Sequence, residues 1–205
     1  MGRPIKRQDF LAKSAQASAE PGLIEQMMVS PMMNPGADAR IVVLHGDVNE
    51  HSISAVIAQL LYLANQSNKP IYFVLSTYGG SIDEAAGAYD VMKFLKAPVY
   101  TIGIGKIMSA GILLLAAGAK GHRVVGPTSR LMLHPISGGV SGTVFDVLNE
   151  TEEMTRLQDN FEKTLSKETK MSKKDIHEIM KKGHDYYIDA EKAIELGIID
   201  KVIGG

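Results

Sequence analysis

The stretch from Ile71 to Ile104, IYFVLSTYGGSIDEAAGAYDVMKFLKAPVYTIGI, changes from a strand pattern to a helix pattern and back to a strand pattern. The apolar run Ile71–Leu75 is typical of a buried strand and ends shortly before the pair Gly79-Gly80. We predict a helix over Ile82–Leu95 and a second buried strand over Val99–Ile104. A strand, a helix and a strand in this order are typical of a parallel βαβ unit. The stretch therefore indicates an α/β fold.

The same alternation continues on both sides of this unit. Upstream, Ile41–Leu44 predicts a strand and His51–Asn65 predicts a helix with apolar residues close to helical spacing. Downstream, Ser109–Ala117 predicts a buried helix, and short strands are expected near Val124 and Leu131. Strands that alternate with helices at this rhythm favour a mainly parallel sheet.

A long amphipathic helix is predicted over Val144–Lys167, with a broken apolar stripe along one face. A single helix cannot bury such a stripe by itself, so it packs either on its own domain or on another subunit. Ser172 is predicted to cap the next helix, which runs through Lys181. Asp175 stands three residues after this serine, as in a capping box.

Residues 1–38 differ from the rest of the chain. They mix basic and small residues with the methionine pairs Met27-Met28 and Met32-Met33, and they show no sustained period of either kind. We predict an N-terminal arm over residues 1–38, flexible or processed, followed by one domain over residues 39–205. A chain of 205 residues with 45% hydrophobic residues is suited to one domain with a substantial core.

Composition excludes several classes of function. A net charge of −1 gives no electrostatic reason to expect binding to nucleic acid. The chain has no cysteine, which excludes thiolate nucleophiles, disulfides and cysteine zinc sites, and which fits a cytoplasmic location. No histidine pair suggests a metal site and no phosphate-binding loop is present, so no cofactor is expected. The apolar stretch Val99–Ala119 is broken by glycines, Lys106 and Ser109, which favours a buried strand and helix over a membrane span.

Three residues have the types that a serine nucleophile needs. Ser109, in Gly105-Lys-Ile-Met-Ser109-Ala-Gly111, stands at a predicted helix start, where a serine is either an N-cap or a hydroxyl near backbone N–H groups that favour an anion. His134 follows Leu131-Met-Leu and is either a buried core histidine or the base that takes the serine's proton. Asp185 has the side chain to orient such a histidine.

Three blocks of sequence and a weaker fourth surround these residues. The blocks are Ser76–Ile82, Gly105–Gly111 running into Leu115–Gly121, Ser129–His134, and Asp185–Ala193 continuing through Gly197–Asp200. In their order and spacing they resemble the ClpP family, the proteolytic subunits of the Clp protease (peptidase family S14). The resemblance spans roughly residues 40 to 203. It implies a ClpP/crotonase-like α/β spiral of β-β-α units, with a protruding handle helix in the region of residues 136–170.

The resemblance also implies a catalytic triad. Ser109 falls on the family's nucleophile, His134 on its base and Asp185 on the carboxylate that holds the base in place. Asp189 is four residues from Asp185 and competes with it for the third role. The downstream match, which includes Ala190, favours Asp185.

Two backbone N–H groups fall on the family's oxyanion-hole positions, those of Gly80 and Ala110. A glycine pair such as Gly79-Gly80 also lets the backbone turn tightly and present its N–H groups to a ligand. The resemblance implies that peptide substrates lie along two segments that contain Gly79, Ser81, Ile82, Gly138 and Gly139.

The chain departs from the family's pattern at four places. Tyr78 replaces a proline, and Pro135-Ile136 replaces a Gln-Pro pair after the histidine. Gly183-His184 replaces an acidic residue and an arginine that help to link two rings, and residues 1–38 lack the family's N-terminal signature. These departures leave open whether rings pair and whether an ATPase docks.

The function that the resemblance implies is a serine endopeptidase. It would hydrolyse unfolded proteins or peptides inside a homo-oligomeric heptameric ring or double ring, fed by a separate AAA+ unfoldase that consumes the ATP. Two alternatives stay open: a specialised processing peptidase that needs no ATPase, and a non-catalytic structural ring subunit.

Overall fold

The computed structural model describes residues 40–204, so the arm predicted over residues 1–38 lies outside the described residues. The strands are β1 (Ile41–His45), β2 (Ile71–Thr77), β3 (Val99–Met108), β4 (Arg123–Val125), β5 (Arg130–Leu133), β6 (Tyr186–Ile188) and β7 (Lys201–Val202). The helices are α1 (Glu50–Gln66), α2 (Ile82–Phe94), α3 (Ala110–Ala116), α4 (Val144–Glu168), α5 (Lys173–Lys181) and α6 (Ala190–Glu195).

The described residues form one sheet in which β1, β2, β3, β4 and β7 lie side by side in that order. All neighbours in this row are parallel. β5 also pairs parallel to β3, whereas β6 returns antiparallel along β5. The α/β fold class and the mainly parallel sheet predicted from the sequence are therefore confirmed.

The central strand β3 is longer than the sequence predicts. Its first half pairs with β4 and its second half, from Lys106 to Met108, pairs with β5. Gly105 lies between the halves with φ +67°, a conformation that favours glycine. The prediction that the strand ends at Ile104 was wrong, because a glycine and a lysine interrupt the apolar run there. This second half aligns the ends of β3 and β5, which positions the candidate site.

The helix α3 is buried at every position, and it packs against β3 and α2. This complete burial accounts for its unbroken apolar sequence. The helix begins at Ala110, one residue later than predicted, with Ser109 at the N-cap position. Of the helices between residues 40 and 204, none combines the length and the apolar composition that a membrane crossing requires.

The long helix α4 has two different halves. Its C-terminal half packs against α3 and α5, with Phe161 and Leu165 buried. Its N-terminal half exposes large apolar side chains, among them Val144 at 72% and Phe145 at 77%. The predicted apolar stripe is thus buried within the chain along only part of the helix. The capping box predicted at Ser172 before α5 is confirmed.

Candidate active site

Ser109 has the most unusual backbone among the described residues. With φ 55° and ψ −125°, it is the only residue other than glycine between positions 40 and 204 that has a positive φ. Its own N–H donates to the carbonyl oxygen of Met132 on β5 at 2.8 Å. Although it stands at the N-cap position, its hydroxyl makes no capping hydrogen bond. The capping interpretation is therefore wrong, and the strained turn leaves the hydroxyl available.

His134 lies next to this turn because its strand pairs with β3. Met132 stands opposite Met108, so the residues that follow the two strands emerge at the same edge of the sheet. Ser109 and His134 both line a cavity of about 380 Å³. They share this cavity without a direct hydrogen bond between them in the described chain. Such bonds are often long in a free enzyme and shorten when substrate binds.

Asp185 approaches His134 from the antiparallel strand β6. Leu133 stands opposite Tyr186, so the register continued by one residue places Asp185 opposite His134. The pairing ends at Leu133 and Tyr186, so His134 and Asp185 are the residues that adjoin this last pair on the two chains. The Asp185 carboxylate is exposed and accepts a long hydrogen bond of 3.4 Å from the Tyr187 hydroxyl. The structure thus brings the backbones together without a bond from this carboxylate to the imidazole.

Asp189, the competing carboxylate, already has a structural partner. It is the N-cap of α6, and its Oδ1 accepts the N–H of Lys192 at 2.7 Å. A carboxylate that caps a helix stabilises that helix by about 1 kcal/mol. The capping bond favours Asp185 over Asp189 as the partner of the histidine.

The glycine pair predicted to turn the chain lies directly against Ser109. A Cβ atom on Gly79, whose φ is +98°, would stand 2.6 Å from the Ser109 Cβ. A Cβ atom on Gly80, whose φ is +146°, would stand 2.2 Å from the carbonyl oxygen of Val48. The Val48 N–H donates to the carbonyl oxygen of Gly79 and the Val48 carbonyl oxygen accepts from the N–H of Ser81, both at 2.8 Å. Neither position has room for a side chain, so this turn requires glycine.

The two predicted oxyanion donors both line the cavity. The N–H of Ala110 is the first of α3, so it has no acceptor within the helix. The N–H of Gly80 also has no acceptor among the described residues, because Val48 bonds to the groups on either side of it. Two unused donors at the cavity that contains Ser109 are what an oxyanion hole requires.

Most of the predicted peptide-binding residues line the same cavity as Ser109. Ser81, Ile82, Gly138 and Gly139 line the cavity, whereas Gly79 does not line it and instead lies behind Ser109. Seven further lining residues were not predicted from the sequence: Asp83 on α2, Ile136 and Ser137 before α4, and Glu150, Met154, Leu157 and Phe161 on α4. Leu157 and Phe161 belong to the apolar stripe of α4, which was the available signal.

Two of the departures from the family's pattern have visible contacts. Tyr78 is 64% exposed, and the Lys106 Nζ lies 4.7 Å from the centre of its ring, so the tyrosine makes a cation–π contact beside the turn. The His184 Nδ1 lies 3.1 Å from the carbonyl oxygen of Lys182, within its own loop. Each replacement therefore has a local contact within the chain.

The protein-family model described as Clp protease matches residues 24–205, which is most of the chain. It includes the strained turn at Ser109, the glycine pair, His134 and Asp185. The chain therefore belongs to the Clp protease family.

Proposed function

We propose that this chain is a serine endopeptidase with Ser109 as nucleophile, His134 as general base and acid, and Asp185 as the residue that orients the histidine. Membership of the Clp protease family implies serine peptidase activity. The observation that supports this assignment most is the turn at Ser109. It costs conformational energy, its hydroxyl caps nothing, and it opens into the cavity that contains His134.

The proposed reaction follows from the positions of these groups. The Ser109 hydroxyl attacks the carbonyl carbon of the scissile peptide while His134 takes its proton. The new oxyanion accepts hydrogen bonds from the N–H groups of Gly80 and Ala110. His134 then gives the proton to the leaving amine, which leaves an acyl group on the serine. A water molecule, deprotonated by His134, hydrolyses this acyl-enzyme and restores the hydroxyl.

Bound peptide has a part in this proposal. The walls lined by Ser81 and Gly138 face the cavity from two sides, so an extended peptide that fills it can pair with backbone on either side. We infer that filling the cavity shortens the distance from Ser109 to His134 and turns the Asp185 carboxylate toward the imidazole. A substrate that lacks residues beyond the scissile bond is then expected to lose rate as well as affinity.

The proposal includes a homo-oligomeric ring, since family membership suggests ring assembly. The exposed apolar side chains of Val144, Phe145 and Leu148 on α4 support an interface there. We propose a heptameric ring or double ring with the cavities facing an inner chamber, which would admit unfolded chains or short peptides. A separate AAA+ unfoldase would supply these and consume the ATP, and the chain itself would need no cofactor. The absence of cysteine is compatible with a cytoplasmic location.

The test is hydrolysis of fluorogenic peptides and of an unfolded protein by the full chain, with Ser109→Ala as the control. Cleavage of both by the wild type and of neither by the variant is the expected result. If the chain cleaves short peptides but no added unfoldase enables it to degrade folded proteins, the result would favour the specialised processing peptidase. An assembled ring that cleaves nothing would favour the structural subunit and contradict the proposal.

A further inference from the structure

The segment from Pro135 to Gly142 joins the candidate base to α4 and is held by very little. Among the described residues, this segment makes one hydrogen bond, in which the Ile136 N–H donates to the Oε1 of Gln158 on α4 at 2.8 Å. Pro135 has no N–H to offer, so Ile136 provides the first backbone donor after His134. This one bond therefore fixes the segment relative to the helix.

The packing around the segment makes this bond more important. Two cavities border this segment, the one that contains Ser109 and a second, more apolar one of about 540 Å³. Ile136 and Gly138 of the segment and Met154 of α4 line both cavities. A segment that borders two cavities lacks the dense packing that positions most backbone in a protein. Its position then depends mainly on its hydrogen-bond anchor.

The side-chain amide of Gln158, which accepts the Ile136 hydrogen bond, is itself held in one orientation. The Nε2 of Gln158 donates to the Oε1 of Glu162 at 2.9 Å, one turn further along α4. The Glu162 side chain is only 2% exposed, and its carboxylate faces the His177 Nδ1 of α5 at 3.1 Å and 3.2 Å. A carboxylate accepts and does not donate, so it selects the amide orientation in which the Gln158 oxygen faces Ile136.

We propose that Gln158 is a positioning residue for catalysis, which sets the location of His134 and of the peptide-binding wall through the Ile136 N–H, and that Glu162 fixes the orientation of its amide. Ile136 is two residues from His134, within about 8 Å along the chain. It is also two residues from Gly138, which lines the cavity. One displacement at Ile136 would thus move both the base and the wall. This inference rests on the proposed function.

The proline that follows His134 supports the same conclusion. A residue before proline is restricted to extended backbone conformations, so Pro135 limits the ways in which His134 can turn. The proline limits the local conformation but does not fix where the segment lies relative to α4. Gln158 supplies that second constraint, so the two residues together determine the position of the imidazole.

The experiment compares Gln158→Leu with Gln59→Leu in the full chain. Gln59 on α1 is the control, because its side-chain amide also bonds to a backbone group, its Nε2 donating to the carbonyl oxygen of Ile41 at 3.3 Å, and because it does not line the cavity. We expect Gln158→Leu to lower kcat for a saturating peptide on the order of 10-fold, since small displacements of a reacting group cost this much or more, and to raise KM because the peptide-binding wall moves with the base. Hydrogen–deuterium exchange at the Ile136 amide should rise about 10-fold, as expected when a hydrogen bond of about 1.4 kcal/mol is lost. Gln59→Leu should change none of these three quantities.

A paired exchange of side chains separates positioning from general damage to the fold. Gln158→Glu places two carboxylates side by side and should lower kcat. The double variant Gln158→Glu/Glu162→Gln restores one donor between them and one acceptor for Ile136, so kcat should return to within about 3-fold of wild type. If Gln158→Leu does not assemble, this rescue decides the matter, and a folded double variant as slow as Gln158→Glu overturns the inference.

The outcomes distinguish this inference from the proposed function. A wild type that cleaves no peptide refutes the proposed function. An active wild type whose Ile136 amide exchanges freely, or whose kcat is unchanged by Gln158→Leu, refutes the positioning role alone.

Discussion

Ser109→Gly and Ser109→Ala remove the same hydroxyl but differ in the backbone conformations that they tolerate. At φ 55° and ψ −125°, a residue with a Cβ atom is in a region that glycine adopts far more easily. Such conformations cost about 1–3 kcal/mol in the folded state. Alanine keeps this cost and glycine removes it, so the two variants isolate the strain from the chemistry.

The expected difference is smaller than the strain alone. Glycine also loses more backbone entropy on folding, which costs about 0.5–1 kcal/mol. Taking the middle of each range, about 2 minus about 0.75 kcal/mol, leaves the Ser109→Gly variant more stable than Ser109→Ala by about 1.2 kcal/mol. For a domain of 150–250 residues, each kcal/mol shifts Tm by about 2–4 °C, so the difference should be about 2–5 °C.

The assay is thermal unfolding of both variants at one protein concentration, because self-association makes Tm depend on concentration. Both variants should be unreactive toward substrate, and only Ser109→Gly should gain stability over the wild type. A Ser109→Ala variant as stable as Ser109→Gly, or more stable, would show that no strain is stored at this turn. The argument that the turn exists for the hydroxyl would then fail.

Three further predictions follow from paired positions. Gly79→Ala places a Cβ 2.6 Å from that of the nucleophile and should lower the acylation rate on the order of 100-fold, whereas Gly46→Ala, with φ +116° and nothing within 4 Å, should cost only stability. Asp185→Ala should lower kcat by at least about 100-fold with little change in Tm. Asp189→Ala should cost about 1 kcal/mol of stability, because it removes the cap of α6, with little change in kcat. The reverse pattern would exchange the roles of the two residues. For Asp200, burial raises the pKa, but hydrogen bonds from the buried Arg123 outweigh this and hold the pKa of Asp200 below its ordinary value. Its contribution to stability is therefore present above the ordinary carboxyl pKa and lost as pH falls through the folded-state pKa. Asp200→Asn should lose roughly 3 kcal/mol at pH 7 and show a smaller difference in Tm between pH 7 and pH 3.

Much of the fold follows from patterns that are local in sequence. The apolar runs of β1 and β2 and the periodicity of α1 and α4 identify these elements to within a few residues. The end of β3 was mispredicted because local patterns cannot show that a strand changes partner at Gly105. β4 pairs with the first half of β3 and β5 pairs with its second half, and only this pairing shows that β3 continues beyond Gly105.

Part of the candidate site likewise follows from local sequence patterns, and part depends on long-range packing. The neighbourhood of Ser109 and His134 follows from two adjacent parallel strands that end at one edge of the sheet. The approach of Asp185 depends on an antiparallel return after two intervening helices, which no local pattern indicates. The contacts among Gln158, Glu162 and His177 join α4 to α5, and they depend on how these two helices pack.

Labelling with a fluorophosphonate, read by intact mass and located by peptide mapping, tests the central claim most directly. The account predicts one adduct on the wild type, located at Ser109, absent from Ser109→Ala and formed much more slowly by His134→Ala. An adduct on another residue, or equal labelling of the wild type and His134→Ala, would contradict it. A folded, assembled wild type that forms no adduct would show that Ser109 is not an activated nucleophile.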